Sequence, residues 1–270
     1  MPGVRTGGLG GCMSPANARP VALVTGPTAG IGRALALRLA ERGYDLVLVA
    51  RDQARLQALA DELARTFDAG SEVLVADLSD RAGMALVEGR LTEESRPVDL
   101  LVNNAGFGLK RRFSSNSVDQ EQASLDVLVT AVMRLTHAAL GPMTARGSGG
   151  ILNVASVAAY QPRGSYSAAK AWVTTFGAWA SREYAPQGVH VMTLCPGFTR
   201  TEFHERMEVR RDSVPRVLWL DVDRVVDEAL ADWDAGKHLS VPSRRYKLIV
   251  AVSRHVPTAV LQRFQGLGRR

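Results

Sequence analysis

The stretch VALVTGPTAGIGRALALRLAERG, residues 21–43, constrains the fold of this 270-residue chain more than any other. A short apolar, β-rich run enters a turn holding Gly26, Gly30 and Gly32 and leaves it as a helical pattern that stops at Gly43. A glycine-rich turn feeding a helix N-terminus turns backbone N–H groups and the positive end of a helix dipole toward an anion such as a pyrophosphate. The spacing is G-x-x-x-G-x-G rather than the more frequent dinucleotide pattern G-x-G-x-x-G. A plain tight turn is the competing reading, and the position at the first strand–helix junction favours nucleotide binding.

The same alternation continues along the chain. YDLVLVA is followed by the helical DQARLQALADELARTF, then by EVLVA, a helical stretch over 80–94 and VDLLVN at 98–103. A long helical pattern covers 119–145, GGILNVAS reads as a fifth strand, 165–185 as a helix, GVHVMTLC as a sixth strand and 221–235 as a helix. HLSVP supplies a short seventh strand. Strands that are continuously apolar, rather than alternating, belong to parallel sheets buried on both faces. Residues 20–242 therefore predict one α/β domain, a doubly wound Rossmann-type fold whose seven-stranded parallel sheet is flanked by helices, with an irregular lid over about 196–220.

Composition sets the outer bounds. An apolar fraction of 46% with 22% charged residues suits a globular core. The longest strongly apolar runs, LVLVA and LIVAV, are far shorter than the ~20 residues of a membrane span. Residues 1–19, rich in Gly, Pro and Ala and lacking an apolar h-region, read as a disordered tail and not as a signal peptide. Cys12 and Cys195 alone allow no disulfide framework or zinc-ligand spacing, which suits a reducing cytoplasm. The net charge of +6 sits in the tails: eight Lys or Arg and no acid fall within 236–270, while 21–235 carry a net −4.

Five motifs then occur in order: TGPTAGIG (25–32), NNAG (103–106), Ser156 after the fifth strand, YSAAK (166–170) and PGFTRT (196–201). Together they resemble the short-chain dehydrogenase/reductase family, over roughly residues 20 to 242, and the local texture is similar to its bacterial NADP-dependent oxidoreductases. The resemblance implies hydride transfer between a nicotinamide and a carbonyl or alcohol. It implies a cofactor cradle of Gly26, Thr28, Ala29, Gly30, Ile31, Gly32, Asp77, Leu78, Asn104, Ala105, Gly106, Pro196, Gly197 and Thr199. In that family Asp77 would hold the adenine amino group, Asn104, Ala105 and Gly106 would line the ribose, and Thr199 would reach the carboxamide. Cofactor choice turns on VLVARD at the end of the second strand. Arg51 suits the 2′-phosphate of NADP, whereas an acid there would bind the 2′-hydroxyl of NAD. Asp52 reads as a helix N-cap, and Asp45 lies at the wrong end of the strand. The expected cofactor is NADP before NAD.

Tyr166 and Lys170 stand at i and i+4 near the start of a helix and so share a face. A phenol has a pKa near 10, and lowering it by about three units takes roughly 4 kcal/mol. A cation about 4 Å away at an effective dielectric of 20 supplies that, so Lys170 is expected to activate Tyr166. By the resemblance Tyr166 is the acid/base, Ser156 steadies the substrate oxygen, and Lys170 also holds the nicotinamide ribose. Tyr166 and Lys170 thus count among the cofactor contacts as well as the catalytic residues. Tyr160 lacks a lysine four places on. The bland reading of Ser156 is a hydroxyl in a strand-end loop.

Two features depart from the family pattern. Ser156 and Tyr166 are ten residues apart, closer than is usual, which should alter the rim of the substrate pocket. Leu128 falls where many members place an Asn that joins the lysine through water. Asp126, two residues earlier on the helix, lies about 200° around and cannot substitute. These two departures support an alternative function, an NADP-binding redox sensor or scaffold with little turnover. His137 reads as a packing residue. His204 and Glu205 read either as lid residues or as a solvated loop, and Phe198, Phe203, Met207 and Trp219 suggest an apolar ketone or secondary alcohol. The basic 243–270 extension reads as a helix packed on the domain or on a dimer partner, as a membrane-surface patch attracted to anionic lipid, or as a nucleic-acid patch, which no motif supports. The expected partners are a small carbonyl or alcohol and further copies of the chain, as a homodimer or homotetramer, with no nucleic acid. The expected location is the cytoplasm, with weak peripheral contact to a membrane through the extension.

Overall fold

The computed structural model describes residues 19–109, 111, 113–202 and 214–253. The first strand, β1 (Val21–Thr25), shows how both faces of the sheet are covered. Its Ala22 and Val24 enter one core cluster, while Val21 and Leu23 enter the other. Side chains alternate across a strand, so a strand that is apolar at every position must be buried twice. The same division recurs in β2 (Asp45–Ala50), where Leu46 and Leu48 face one cluster and Val47 and Val49 the other.

The remaining strands are β3 (Ser71–Val75), β4 (Leu100–Asn103), β5 (Gly149–Val154), β6 (Val189–Leu194) and the short β7 (Leu239–Ser240). They form one seven-stranded sheet in the order β3-β2-β1-β4-β5-β6-β7, parallel at every pairing. One face is covered by α1 (Gly30–Glu41), α2 (Gln53–Phe67) and α7 (Val222–Asp234). The other is covered by α3 (Arg81–Leu91), α5 (Ala131–Ala145) and part of α6 (Ser165–Tyr184). β1 pairs with β2 on one side and β4 on the other, so the chain reverses its winding there. In open α/β sheets such a switch point opens a crevice at the carboxyl ends of the strands.

The helical pattern over 119–145 is not one regular helix. α4 (Val118–Leu125) runs into a π-turn, Asp126–Thr130, before α5 begins. The Ala131 N–H donates to the Asp126 carbonyl, the i→i+5 bond of a π-bulge, a device frequent at functional sites. By length and composition 118–145 would pass for a membrane span. Its Val127, Leu135, Ala139 and Met143 instead bury in the core beneath the sheet.

Two expectations need correction. Arg19, assigned to the tail, is anchored: its guanidinium donates to the carbonyls of Gly43 (3.1 Å), Ala40 (3.3 Å) and Asp68 (2.7 Å). It therefore serves the C-terminal ends of α1 and α2, where cations are favoured by the helix dipole. His137 is exposed rather than packed. It lies two residues from the buried Leu135 and Ala139, on the solvent face of α5. The last described element, α8 (Arg244–Ser253), packs on the domain through Tyr246 and Val250. His204, Glu205, Phe203 and Met207 lie outside the described residues, as do Cys12, the tail before Arg19 and the extension beyond Ser253.

Candidate active site

The turn after β1 is built by close approach. Gly26 is left-handed at φ +66° and donates its N–H to the Val49 carbonyl of β2 (2.8 Å). At Gly32, inside the first turn of α1, a Cβ would collide with Asn104 Nδ2 and the Gly26 carbonyl. At Gly30 a Cβ would meet the Thr201 methyl at 3.0 Å. α1 has no side chain capping its N-terminus, so its first N–H groups remain available to an anion.

Across the crevice Asn104 ties the mouths of β1 and β4 together. Its Nδ2 donates to the carbonyls of Thr25 (2.8 Å) and Gly26 (3.0 Å), and its N–H donates to the Thr25 hydroxyl (2.9 Å). The same hydroxyl accepts the Ala105 N–H (3.0 Å). Thr25 was not among the expected site residues; its signal was a lone hydroxyl ending an otherwise apolar strand. Thr28, Ala29, Ile31 and Ala105 are partly exposed around this cradle, Gly106 is open to solvent, and Leu78 is buried behind it.

At the outer edge Arg51 and Asp77 come together from the ends of β2 and β3, with Nη1 to Oδ2 at 3.5 Å. Burial alone would raise the Asp77 carboxyl. The Ser79 N–H and hydroxyl, then the Arg51 charge, outweigh it and hold the pKa low. Asp52 caps α2 by accepting the Arg55 N–H (3.0 Å). Asp45, at the far end of β2, pairs with Arg19 (3.4 Å) and Arg96 (2.5 Å).

The expected catalytic trio converges after β5. Ser156 N-caps a 3-10 turn, Val157–Tyr160, and its hydroxyl accepts the Ala158 N–H (3.1 Å). That same hydroxyl hydrogen-bonds the Tyr166 phenol. Ser156 is thus both a loop cap and a neighbour of the phenol. Lys170, one turn along α6, is buried, and its Nζ donates to the Val154 carbonyl (2.7 Å) while lying 5.9 Å from the Tyr166 ring centroid. The Tyr160 hydroxyl reaches the Cys195 Sγ (4.0 Å).

The electrostatics overturn one expectation. Burial pushes the Tyr166 phenol up to about 12, against the hydrogen bond from Ser156, which lowers it. Burial also brings Lys170 down to about 8. Proximity alone would give the phenol the benefit of the lysine's full charge, but desolvation dominates both groups here. Cys195, which sequence reasoning placed only as a strand-end thiol, is fully buried beside them, and burial pushes its pKa up so that it stays a neutral thiol.

Leu128 sits in the π-turn, 1% exposed. Its Cδ2 and the Lys170 Nζ lie 3.0 and 3.9 Å from the point that a Cβ on Gly106 would take. Both side chains therefore border Gly106. Asp126 faces away, accepting from Gln122 (3.1 Å) and Thr130 (3.1 Å).

The loop after β6 completes the edge. Pro196 and Thr199 are buried, Gly197 is half-buried, and the Thr199 hydroxyl donates to the Gly197 carbonyl (3.1 Å). Thr199 pairs with Leu220 as an isolated parallel bridge. Phe198 and Trp219 meet with ring centroids 5.7 Å apart.

A family model described as short chain dehydrogenase matches residues 20–212. Sulfoacetaldehyde reductase 2 of Chromohalobacter salexigens is 36% identical over 189 residues, which is 68% of this chain and 74% of that protein. A short-chain dehydrogenase from Sphingobium yanoikuyae, solved in complex with NADPH, superposes with a TM-score of 0.80 at 34% identity, covering 87% of this chain and 94% of that one. The bulky-bulky ketone specific alcohol dehydrogenase from Comamonas testosteroni gives a TM-score of 0.76 at 30% identity, covering 87% and 92%.

Proposed function

The chain belongs to the short-chain dehydrogenase family, and from that premise we propose that it is an NADP-preferring oxidoreductase that reduces an apolar ketone with Tyr166 as the proton donor. The observation that carries this reading is the meeting of Ser156, the Tyr166 phenol and the buried Lys170 on the carboxyl edge of the sheet, with β4 between them and the strand that leads into the glycine turn. The cradle of Gly26, Gly32 and Asn104, with its uncapped helix N-terminus, fits a dinucleotide diphosphate.

When bound, the reduced nicotinamide supplies the hydride. The rest of the chemistry is the chain's own. Ser156 donates a hydrogen bond to the substrate oxygen, and Tyr166 gives that oxygen its proton as negative charge develops there. A phenol held near 12 keeps its proton at neutral pH, which suits reduction. Oxidation would start from the phenolate, which becomes more abundant as the pH rises. Lys170 presents its ammonium beneath the phenol, fixed by the Val154 carbonyl.

NADP preference rests on Arg51, whose side chain is 72% exposed at the end of β2, and on Asp52 being engaged as a helix cap. The Phe198–Trp219 pair supports an apolar substrate, in keeping with the ketone named for the Comamonas testosteroni relative. Exposed Met133 and Trp179, on α5 and α6, support a homodimer or homotetramer, which native mass measurement would check.

The test is NADPH consumption over a panel of ketones and aldehydes by wild type and Tyr166→Phe together. Losing a general acid costs about 10²- to 10⁴-fold in turnover, and equal rates would sink the mechanism. The second reading, an NADP-binding sensor or scaffold with little turnover, is favoured by Leu128 beside Lys170. It requires cofactor binding, no reduction anywhere on the panel and no effect of Tyr166→Phe.

A further inference from the structure

We infer that Tyr246, on α8 and outside the five motifs, is a positioning residue that clasps the segment leaving β6 to the segment around Leu218 and so sets the loop expected to face the nicotinamide. The inference rests on the cofactor reading above. Tyr246 is 3% exposed and its hydroxyl joins two segments twenty residues apart in sequence. It accepts the Phe198 N–H (3.1 Å) on the stem leaving β6 and donates to the Leu218 carbonyl (2.8 Å) on the returning stem. Its ring packs so closely on Gly197 that a Cβ there would collide with Cε2 and Cζ.

The neighbours of this contact are arranged to the same end. The Leu220 N–H donates to the Phe198 carbonyl (2.7 Å), and the Arg200 N–H donates to the Leu220 carbonyl (3.0 Å), so the two stems already pair like a short ladder. Arg245, next to Tyr246, donates to the Val217 carbonyl (2.8 Å). Two successive side chains of α8 therefore hold two successive carbonyls of the returning stem. Ser243, just before α8, takes a left-handed φ of +77°, and its N–H donates to Glu228 Oε2 (2.7 Å). Left-handed backbone is costly for a residue with a Cβ, and here it turns the chain from β7 back over the loop. Pro196, Gly197 and Thr199 are thus held by an element about 45 residues downstream, through contacts that the adenosine end of the cleft does not share.

The test compares NADPH with 2′,5′-ADP, which carries the adenosine and 2′-phosphate but no nicotinamide. Binding of each to wild type and Tyr246→Phe is measured by calorimetry and by NADPH fluorescence. Phenylalanine keeps the ring on Gly197 and removes the two hydrogen bonds. NADPH affinity should fall about five- to tenfold, the scale of a lost hydrogen bond, with 2′,5′-ADP affinity unchanged. Gly197→Ala, which pushes the ring off the loop without touching Tyr246, should give the same split. Leu248→Ser, at an exposed position of the same helix, should leave both affinities at wild type. Unchanged NADPH binding in Tyr246→Phe and Gly197→Ala, or equal losses for both probes, would overturn the inference. A wild type that binds neither probe would instead overturn the cofactor reading beneath it.

Discussion

Replacing Leu128 by Asn asks how protons reach the site. The leucine is buried in the π-turn, with its Cδ2 and the Lys170 Nζ both beside Gly106. Lys170 has three donors and the structure shows one of them on the Val154 carbonyl. An Asn carboxamide in the leucine's place can accept another and present an amide to water. The cost is calculable. Burying a leucine is worth about 1.5–3 kcal/mol, and a buried amide left partly unsatisfied costs about 1–3 kcal/mol more. Pairing with Lys170 offsets part of this, so the variant should lose about 2–4 kcal/mol of stability. At about 2–4 °C per kcal/mol for a domain of this size, Tm should fall by about 4–16 °C. If the leucine throttles proton supply, kcat for NADPH-dependent ketone reduction should rise about tenfold, a modest share of what acid–base catalysis provides. Leu128→Ala is the control: it removes bulk without adding a relay, so it should lower Tm and leave kcat near wild type. The assay is initial rates at saturating NADPH from pH 6 to 9, beside thermal unfolding. A lower Tm with unchanged kcat and pH profile in Leu128→Asn would refute the idea that Leu128 blocks the path.

Arg51→Asp removes an exposed guanidinium and its 3.5 Å pair with Asp77; preference should shift from NADPH toward NADH by at least about tenfold, read from kcat/KM for each, with Tm nearly unmoved. Gly32→Ala forces a Cβ onto Asn104 and the Gly26 carbonyl; NADPH binding should be lost in calorimetry, and normal affinity would mean the crevice is more pliant than it looks. With the phenol near 12 and Lys170 near 8, alcohol oxidation should climb from pH 7 to 10 as phenolate forms, while ketone reduction declines above about pH 8 as the ammonium loses its charge. A plateau in oxidation below pH 9 would show that Lys170 acts on Tyr166 far more strongly than burial does.

Local chemistry was legible in the sequence, and contacts between distant segments were not. The sheet could be read because a strand buried on both faces must be apolar on both, as VALV in β1 and LVLVA in β2 are. Asp52 could be read as a cap because its partner, Arg55, is three residues away. Arg19 could not, because its acceptors at Ala40, Gly43 and Asp68 meet only after two helices fold back. The π-turn is hidden for a different reason: a five-residue widening barely disturbs a periodicity read over 27 residues. The Tyr166 pKa failed because the spacing of Tyr and Lys says how near they are and nothing about how much water surrounds them. Tyr246 lay in a segment whose basic and apolar residues drew attention to membranes, and its partners are backbone groups that no motif encodes.

The short Ser156–Tyr166 spacing is best understood from how the chain closes the gap. Ser156 caps the 3-10 turn Val157–Tyr160, and α6 already starts at Ser165, leaving only residues 161–164 between them. Gly164, at φ +103°, occupies the N-cap of α6. A residue with a Cβ would be strained there, so the glycine lets α6 begin early enough to bring Tyr166 back to the Ser156 hydroxyl. With Ser156 capping the 3-10 turn and Tyr166 in the first turn of α6, the shortening is expected to fall in the segment that would overhang the substrate. With a lower rim expected on this side, the Phe198–Trp219 pair is the expected wall for the substrate. Substrate size should therefore respond to changes at Trp219 more than to changes in 161–163. Trp219→Ala should raise KM for bulky ketones and spare small ones, whereas Gln161→Ala should move neither. If Gln161→Ala proved the more selective change, the rim would lie on the loop after all.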